Sequence, residues 1–269
     1  MRPAHLLLLV LCLAGAPTVV LAAEPPALAK ARVLYNAADY EGAIDAAAVS
    51  RLQPEWADAS ALVIARSHLE RYRQTVNPSD LAAAREALGT VRGEALGPRD
   101  QLDLLIGLGQ ALYLGELFGA AAELFDTALN RSSLMDPRDR LMLLDWWATS
   151  LDREAQSRPA DQRARIFERI VTRMEDELWD DASSPVANYW LAVGARGTGD
   201  VNRAWDAAIA AWVRARMNPE TAEQLRADID RLVTQALIAE RARERPAAER
   251  EDAMARLHAN WELVKQQWK

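Results

Sequence analysis

Cysteine and histidine are scarce in this chain of 269 residues, which has one cysteine and three histidines. The cysteine, Cys12, lies in a segment that we expect to be cleaved off, so the remaining chain can form no disulfide, thiol nucleophile or cysteine metal site. His5 lies in the same segment, and His68 and His258 are far apart. This composition gives little support to a zinc site or a catalytic histidine. We therefore expect no metal, no cofactor and no enzymatic activity.

The chain also has little that would suit nucleic acid or nucleotides as partners. Its formal net charge of −7 argues against binding to nucleic acid and to anionic lipid. Gly197 and Gly199 lack the third glycine and the preceding strand of a dinucleotide-binding loop. The segment from Gly197 to Asp200 is better interpreted as a turn between two helices.

Residues 1–22 have the pattern of a secretory signal peptide. Arg2 supplies a positive start, Leu6 to Leu13 are apolar, and Ala22 is a small residue suited to cleavage. An uncleaved anchor is the alternative, but Gly15 and Pro17 interrupt the run short of the ~20 apolar residues that a span needs. A lipoprotein would use Cys12, although Leu11 precedes it. We expect a periplasmic or secreted protein with no stable membrane span after cleavage.

From residue 27 onward, alanine, leucine, arginine and glutamate predominate, and no segment alternates apolar and polar residues as a strand would. The sequence therefore predicts an all-α fold. Prolines separate the blocks of helical periodicity, and we interpret them as helix boundaries. They are Pro54, Pro78, Pro98, Pro137, Pro159, Pro185, Pro219 and Pro246.

Two segments, 105–129 and 188–212, resemble each other. In both, small residues lie in a first helix and a turn follows. The second helix then begins with an alanine, and apolar residues follow four positions later and three positions after that. The leading alanines are Ala121 and Ala204, and weaker copies place Ala43 and Ala84 at the same point.

This pattern resembles the tetratricopeptide repeat (TPR), in which small residues let the two helices of a hairpin approach closely. The resemblance implies an α-solenoid of about five hairpins over residues 23–217. The spacing of the alanines exceeds the family's period of about 34 residues, so we expect longer turns. An ordinary helical bundle is the alternative.

The pattern changes in residues 218–269. Leu225, Ile229, Val233 and Leu237 form one apolar stripe that indicates a C-terminal capping helix. A final amphipathic helix carries an apolar face centred on Trp261. That face either packs on the repeats or binds a partner.

In TPR proteins the first helices of successive hairpins line a concave groove that binds peptides. The nine tryptophans fall mostly in the second half, where we expect core packing and some groove lining. Carried over residue by residue, the resemblance implies that the groove is lined by Arg66, Leu69, Asp103, Ile106, Gln110, Tyr113, Asp145, Thr149, Tyr189, Val193 and Arg196.

We therefore expect an exported scaffold or adaptor that binds a protein or peptide. We expect it to act in an envelope assembly or transport complex. One alternative is a small-ligand-binding component of a transporter, with an aromatic pocket at Tyr189 and Trp190. Another is an all-helical enzyme that cleaves peptidoglycan, but its usual Glu-Ser pair does not occur here.

Overall fold

The computed structural model of the chain describes residues 23–217 and 222–269, and every regular element in these two ranges is helical. The predicted signal peptide, with Cys12, and the predicted boundary at Pro219 lie outside the described residues. The α-helices are α1 (Pro26–Asn36), α2 (Tyr40–Ser50), α3 (Ala57–Thr75), α4 (Pro78–Gly89), α5 (Pro98–Tyr113), α6 (Phe118–Leu129), α7 (Pro137–Gln156), α8 (Ala160–Asp180), α9 (Pro185–Thr198), α10 (Val201–Ala215), α11 (Ala222–Leu232), α12 (Ile238–Arg243) and α13 (Arg250–Gln267). A π-helical segment, Val233–Leu237, joins α11 to α12.

The helix boundaries follow from proline and from capping side chains. A proline at the first helical position loses no hydrogen bond, because the first amides of a helix have no partner within it. Side chains that precede the helices accept bonds from these free amides, as Asp200 does from the Arg203 amide at 3.0 Å. The predicted proline boundaries in the described ranges are confirmed, and the residues at the first helical position are Pro78, Pro98, Pro137 and Pro185.

Helices that follow one another in the chain pack against each other as antiparallel neighbours joined by short turns. The most extensive contacts join α1 to α2, α3 to α4, α5 to α6, α8 to α9 and α9 to α10. In addition, α1 contacts α3, α3 contacts α5 and α7 contacts α9. We call the side of the molecule formed by α1, α3, α5, α7 and α9 the odd-helix face. The all-α prediction is confirmed, while the TPR-like solenoid remains a prediction.

The four alanines that defined the hairpins are fully buried. Ala43, Ala84, Ala121 and Ala204 are each 0 % exposed. Gly109 shows how closely α5 approaches α6, because a Cβ atom there would lie 2.4 Å from the Phe125 ring. The predicted packing role of the small residues is thus confirmed in burial and contact.

Two hydrophobic cores divide the molecule. The first is built from α1 to α5, and the second extends from α5 to α13. Helix α5 belongs to both, with Ala111 in the first core and Leu102 in the second. Because one rigid helix contributes to both cores, we expect the two halves to be coupled through α5.

The last helix folds back onto the rest of the chain. Trp261 is fully buried, with ring centroids 5.3 Å from Trp212 and 6.3 Å from Trp205. Its indole N–H donates to Asp230 at 2.8 Å. Of the two roles considered for the apolar face of this helix, the structure shows packing against the rest of the chain. The predicted capping stripe is also buried, at Leu225, Ile229, Val233 and Leu237.

Candidate functional site

A groove runs along the N-terminal part of the odd-helix face. It consists of two adjoining cavities, of ≈330 Å³ and ≈60 Å³, between α1, α3, α5 and the first turns of α7. We call it the N-terminal groove. Six residues line both cavities: Tyr35, Arg66, Arg99, Asp103, Asp139 and Met142.

Arginine–carboxylate pairs cross this groove from helix to helix. Arg66 on α3 reaches Asp103 on α5 at 2.8 Å and lies 4.7 Å from the centre of the Tyr35 ring. Arg99 lies between Asp103, at 3.6 Å, and Asp139 on α7, at 3.4 Å. The pair of Arg66 with Asp103 joins α3 to α5 and the pair of Arg99 with Asp139 joins α5 to α7, while the contact of Arg99 with Asp103 lies within α5.

The smaller cavity has an apolar wall. Ile106, Phe125, Met135, Met142 and Trp146 contribute to it, beside the charged pair of Arg66 and Asp103. Met142 is 51 % exposed, so its flexible thioether side chain is available for contact. The groove thus combines a charged rim with a place for an apolar side chain.

Of the residues that the TPR resemblance placed in a groove, four line this one. They are Arg66, Asp103, Ile106 and Gln110. Gln110 is only 7 % exposed, so only a small part of its side chain reaches the surface of the groove.

Two other predicted residues of this region are part of the packing. Leu69, which the resemblance placed in the groove, is 0 % exposed, belongs to the first core and lines neither cavity of the N-terminal groove. Tyr113 is half-buried, and its ring packs edge-on against Trp146, 4.8 Å between centroids, and against Phe118, 5.3 Å.

Asp145, Thr149 and Tyr189 lie in the middle of the odd-helix face, outside the groove. Asp145 accepts a hydrogen bond from the Trp190 indole N–H at 2.8 Å. Desolvation by the surrounding protein raises the pKa of Asp145, with a further contribution from Asp228. Burial likewise raises the pKa of the Tyr189 phenol, so that it stays neutral. Thr149 is half-buried.

The Tyr189–Trp190 pair, considered as an aromatic ligand pocket, packs internally. The two rings meet edge-on, 5.2 Å between centroids, and Trp190 is 5 % exposed. Because the ring of Trp190 is covered and its N–H is already bonded to Asp145, this pair offers little aromatic surface to a ligand.

The two remaining predicted residues, Val193 and Arg196, line a second and larger cavity of ≈630 Å³. We call it the C-terminal pocket. It lies between the end of α7, the start of α8, the end of α9 and α12. The other residues that line it are Asp152, Gln156, Arg163, Phe167, Gly197, Gly199, Val201, Glu240 and Arg243.

Gly199 lies in the turn between α9 and α10, whereas Gly197, which the sequence also placed in that turn, lies in the last turn of α9. Gly199 has φ +90°, in the left-handed region that other residues rarely adopt. A Cβ atom on Gly197 would lie 2.1 Å from the Phe167 ring. The two glycines therefore allow the tight turn and the close approach of α8 to α9.

Sequence reasoning missed several lining residues. Asp139 and Met142 could have been found, since they extend the stripe of Asp145 along α7 toward its N-terminus. Arg163 and Arg243 could not, because α8 and α12 are not first helices of hairpins. The packing of α12 against α10, together with the ion pair from Arg196 on α9 to Glu240 on α12, brings Arg243 to the pocket.

Part of the acidic run near the end of α8 is engaged in ion pairs. Glu177, part of the run of acidic residues near the end of α8, is bound by Arg140 at 2.5 Å and by Arg173 at 2.9 Å. Burial alone would raise the pKa of Glu177, but the hydrogen bonds from the two arginines outweigh it and lower the pKa. Within residues 23–217 and 222–269, no group of three or more His, Cys, Asp and Glu side chains is arranged to hold a metal ion.

Comparisons with known protein families, with curated proteins and with solved structures gave no significant match. Among the helices described, none combines the length and apolar character needed to cross a membrane.

Proposed function

We propose that this protein is an exported, TPR-like adaptor that binds an extended segment of another protein in the N-terminal groove. The observation that carries the proposal is the groove itself, in which charged side chains from α3, α5 and α7 surround an apolar cavity. A partner segment would place an apolar side chain in this cavity, and its backbone would meet the charged rim.

The acidic groups of the groove are held by arginines. A carboxylate that is bound by a guanidinium is fixed in place and has part of its hydrogen-bonding capacity already used. Asp100 is held by Arg32 through two bonds of 2.9 Å, and Asp103 and Asp139 also have arginine partners. These carboxylates are suited to a structural and recognition role.

The helix pairing supports the TPR-like part of the proposal. First helices contact one another in α1 with α3, α3 with α5 and α7 with α9, and the ion pair of Arg99 with Asp139 links α5 to α7, as stacked hairpins would require. The longer spacing between hairpins corresponds to the short 3₁₀ turns inserted between α2 and α3, α4 and α5, and α6 and α7.

Export rests on the sequence of residues 1–22. We expect protein isolated from its native host to begin at Ala23 or Glu24. An intact-mass measurement tests this, and a retained Met1 or a lipidated Cys12 would contradict it.

The binding test uses three exposed groove residues whose removal should leave the core intact. Arg99 and Asp139 have side chains 49 % and 45 % exposed, and Met142 is 51 % exposed. The triple variant Arg99→Ala, Asp139→Ala, Met142→Ala should keep the melting temperature but lose partners that the wild-type chain captures from envelope extract. Each anchor should contribute about 1–2 kcal/mol to binding.

The matched control changes the same kinds of residue elsewhere. Arg169 and Glu123 form an exposed ion pair at 2.8 Å between α8 and α6, and Leu52 is 84 % exposed in the turn after α2. Replacing these three by alanine should leave capture unchanged. If the control loses the partners and the groove variant keeps them, the groove is not the binding site.

A further inference from the structure

The C-terminal pocket contains an excess of positive charge. One of its three arginines, Arg196, is neutralised by Glu240: its Nε lies 3.0 Å from both carboxylate oxygens, and its Nη2 lies 2.8 Å from one of them. This pair forms one wall of the pocket and leaves the other two arginines to determine the pocket's charge.

Those two arginines have no carboxylate partner within ion-pair distance among residues 23–217 and 222–269. Arg163 donates only to the backbone oxygen of Arg158, at 3.2 Å, and the guanidinium of Arg243 has no partner in the same ranges. They come from different elements, the first turn of α8 and the last residue of α12. Both side chains line the same cavity, so a bound anion there would supply the carboxylate partner that each of them lacks.

The remaining acidic group, Asp152, offsets only part of this charge. Its carboxylate accepts a hydrogen bond from Gln156 Nε2 at 3.0 Å. Burial raises the pKa of Asp152, although Gln156, Arg153 and Arg196 oppose the shift. With Asp152 ionised, the pocket retains one unit of positive charge.

Apolar groups lie beside the two arginines. The ring of Phe167, 8 % exposed, and the half-buried Val193 line the same cavity. The volume of ≈630 Å³ lies within the range of about 300–1,000 Å³ that is usual for small-molecule sites. The pocket can therefore accommodate an apolar body together with its charged end.

We infer that the C-terminal pocket binds an organic monoanion, whose carboxylate is held by Arg163 and Arg243 and whose short apolar body lies against Phe167 and Val193. The planar guanidinium matches a carboxylate in shape. A single excess positive charge suits one carboxylate better than a doubly charged phosphate. The carboxylate can belong to a free acid or to the C-terminus of a polypeptide. This site is separate from the N-terminal groove and does not depend on the proposed function.

Calorimetric titration of the mature chain tests the inference with charged and neutral probes of equal size. Hexanoate and hexanamide form one pair, and the tripeptide acetyl-Gly-Leu-Val with a free or an amidated C-terminus forms the other. The acid of at least one pair should bind, and its amide should bind at least about tenfold more weakly. Binding of the acid peptide alone would identify a polypeptide C-terminus, and binding of hexanoate would show that a free acid suffices.

Variants then locate the site. Arg163→Gln and Arg243→Gln should each weaken binding of the acid about tenfold or more, with unchanged circular dichroism. Arg256→Gln, an exposed arginine on α13 away from the pocket, should bind as the wild type does. The inference is overturned if no acid binds up to about 10 mM, if the amides bind equally well, or if Arg256→Gln weakens binding as much as the pocket variants.

Discussion

Two regions of the molecule, the N-terminal groove and the contact of α10 with α13, join their helices through different kinds of side chain. In the N-terminal half, Arg32 joins α1 to Asp100 on α5, and Arg66 joins α3 to Asp103 on α5. In the C-terminal half, Trp205 and Trp212 of α10 pack against Trp261 of α13. Ion pairs can bridge a gap between helices, whereas tryptophan fills it. Ion pairs thus lie along the open groove of α1, α3 and α5, while tryptophan rings fill the contact of α10 with α13.

The energetic consequence is that the C-terminal half should be more sensitive to truncation of a single side chain. A buried tryptophan removes about 150–250 Å² from water, at about 25 cal/mol per Å². A partly exposed ion pair contributes only about 0–1 kcal/mol. The predictions below test this contrast, from the largest expected effect to the smallest.

Trp261→Ala should have the largest effect. It removes the packing with Trp205 and Trp212 and leaves Asp230 without its indole donor, although Lys265 at 2.9 Å still partners that carboxylate. We expect a loss of roughly 3–5 kcal/mol in the free energy of unfolding, measured by urea denaturation. Trp179→Ala, at a tryptophan that is 90 % exposed, is the control and should change it by less than about 0.5 kcal/mol. If both variants lost the same free energy of unfolding, burial of Trp261 would not be what stabilises the contact of α10 with α13.

Ala121→Leu and Ala204→Leu test whether two hairpins of the second core share the same close contact between their helices. Both alanines are 0 % exposed, so added methylene groups should cost about 1–3 kcal/mol each, seen as a lower melting temperature. Ala120→Leu, on the exposed side of α6, should have little effect. Unchanged melting temperatures in both buried variants would show that the repeat alignment is wrong.

Arg32→Gln should have a smaller effect, located mainly in α1. It breaks the bidentate pair with Asp100, whose contribution we expect to be about 1 kcal/mol or less at low salt. Hydrogen exchange of the α1 amides should become faster. Arg231→Gln, which breaks an exposed pair with Asp228 within one helix, should leave α1 unchanged. Faster exchange throughout the chain in Arg32→Gln would contradict a local role.

Asp152→Asn should give the smallest change, and it should be stabilising. Because burial raises the pKa of Asp152 in the folded protein, ionisation of this carboxyl disfavours folding. The variant should gain up to about 1 kcal/mol at neutral pH. The gain should vanish as the pH falls below the unfolded value of about 3.9. Asp161→Asn, at an exposed position on α8, is the control for the pH series. A gain in stability that grows toward acid pH would show that the pKa of Asp152 is not raised in the folded protein.

Local signals in the sequence were sufficient for the helices but not for the site. Pro137 and Pro185 identified helix starts, and Ala121 and Ala204 identified close contacts, because each acts through its neighbours in the chain. The burial of Leu69 was not predicted, because a helical stripe shows which residues share a side of the helix but not which of them are covered by the core.

The charged sites depended on partners distant in sequence. Arg99 was missed although it pairs with Asp103 within α5, because its importance comes from Asp139 on α7. Arg243 reaches the C-terminal pocket only through the packing of α12 on α10. A periodic pattern in one helix contains no information about such pairs.

The central claim is that the N-terminal groove binds a protein segment, and photocrosslinking in cells that produce the protein tests it most directly. A photoreactive phenylalanine analogue replaces Met142 in the groove or, as the control, Leu52 in the turn after α2. We predict a discrete crosslinked polypeptide from position 142 that disappears when Arg99 and Asp139 are also replaced by alanine. The same product from position 52, or a product from position 52 alone, would contradict the claim.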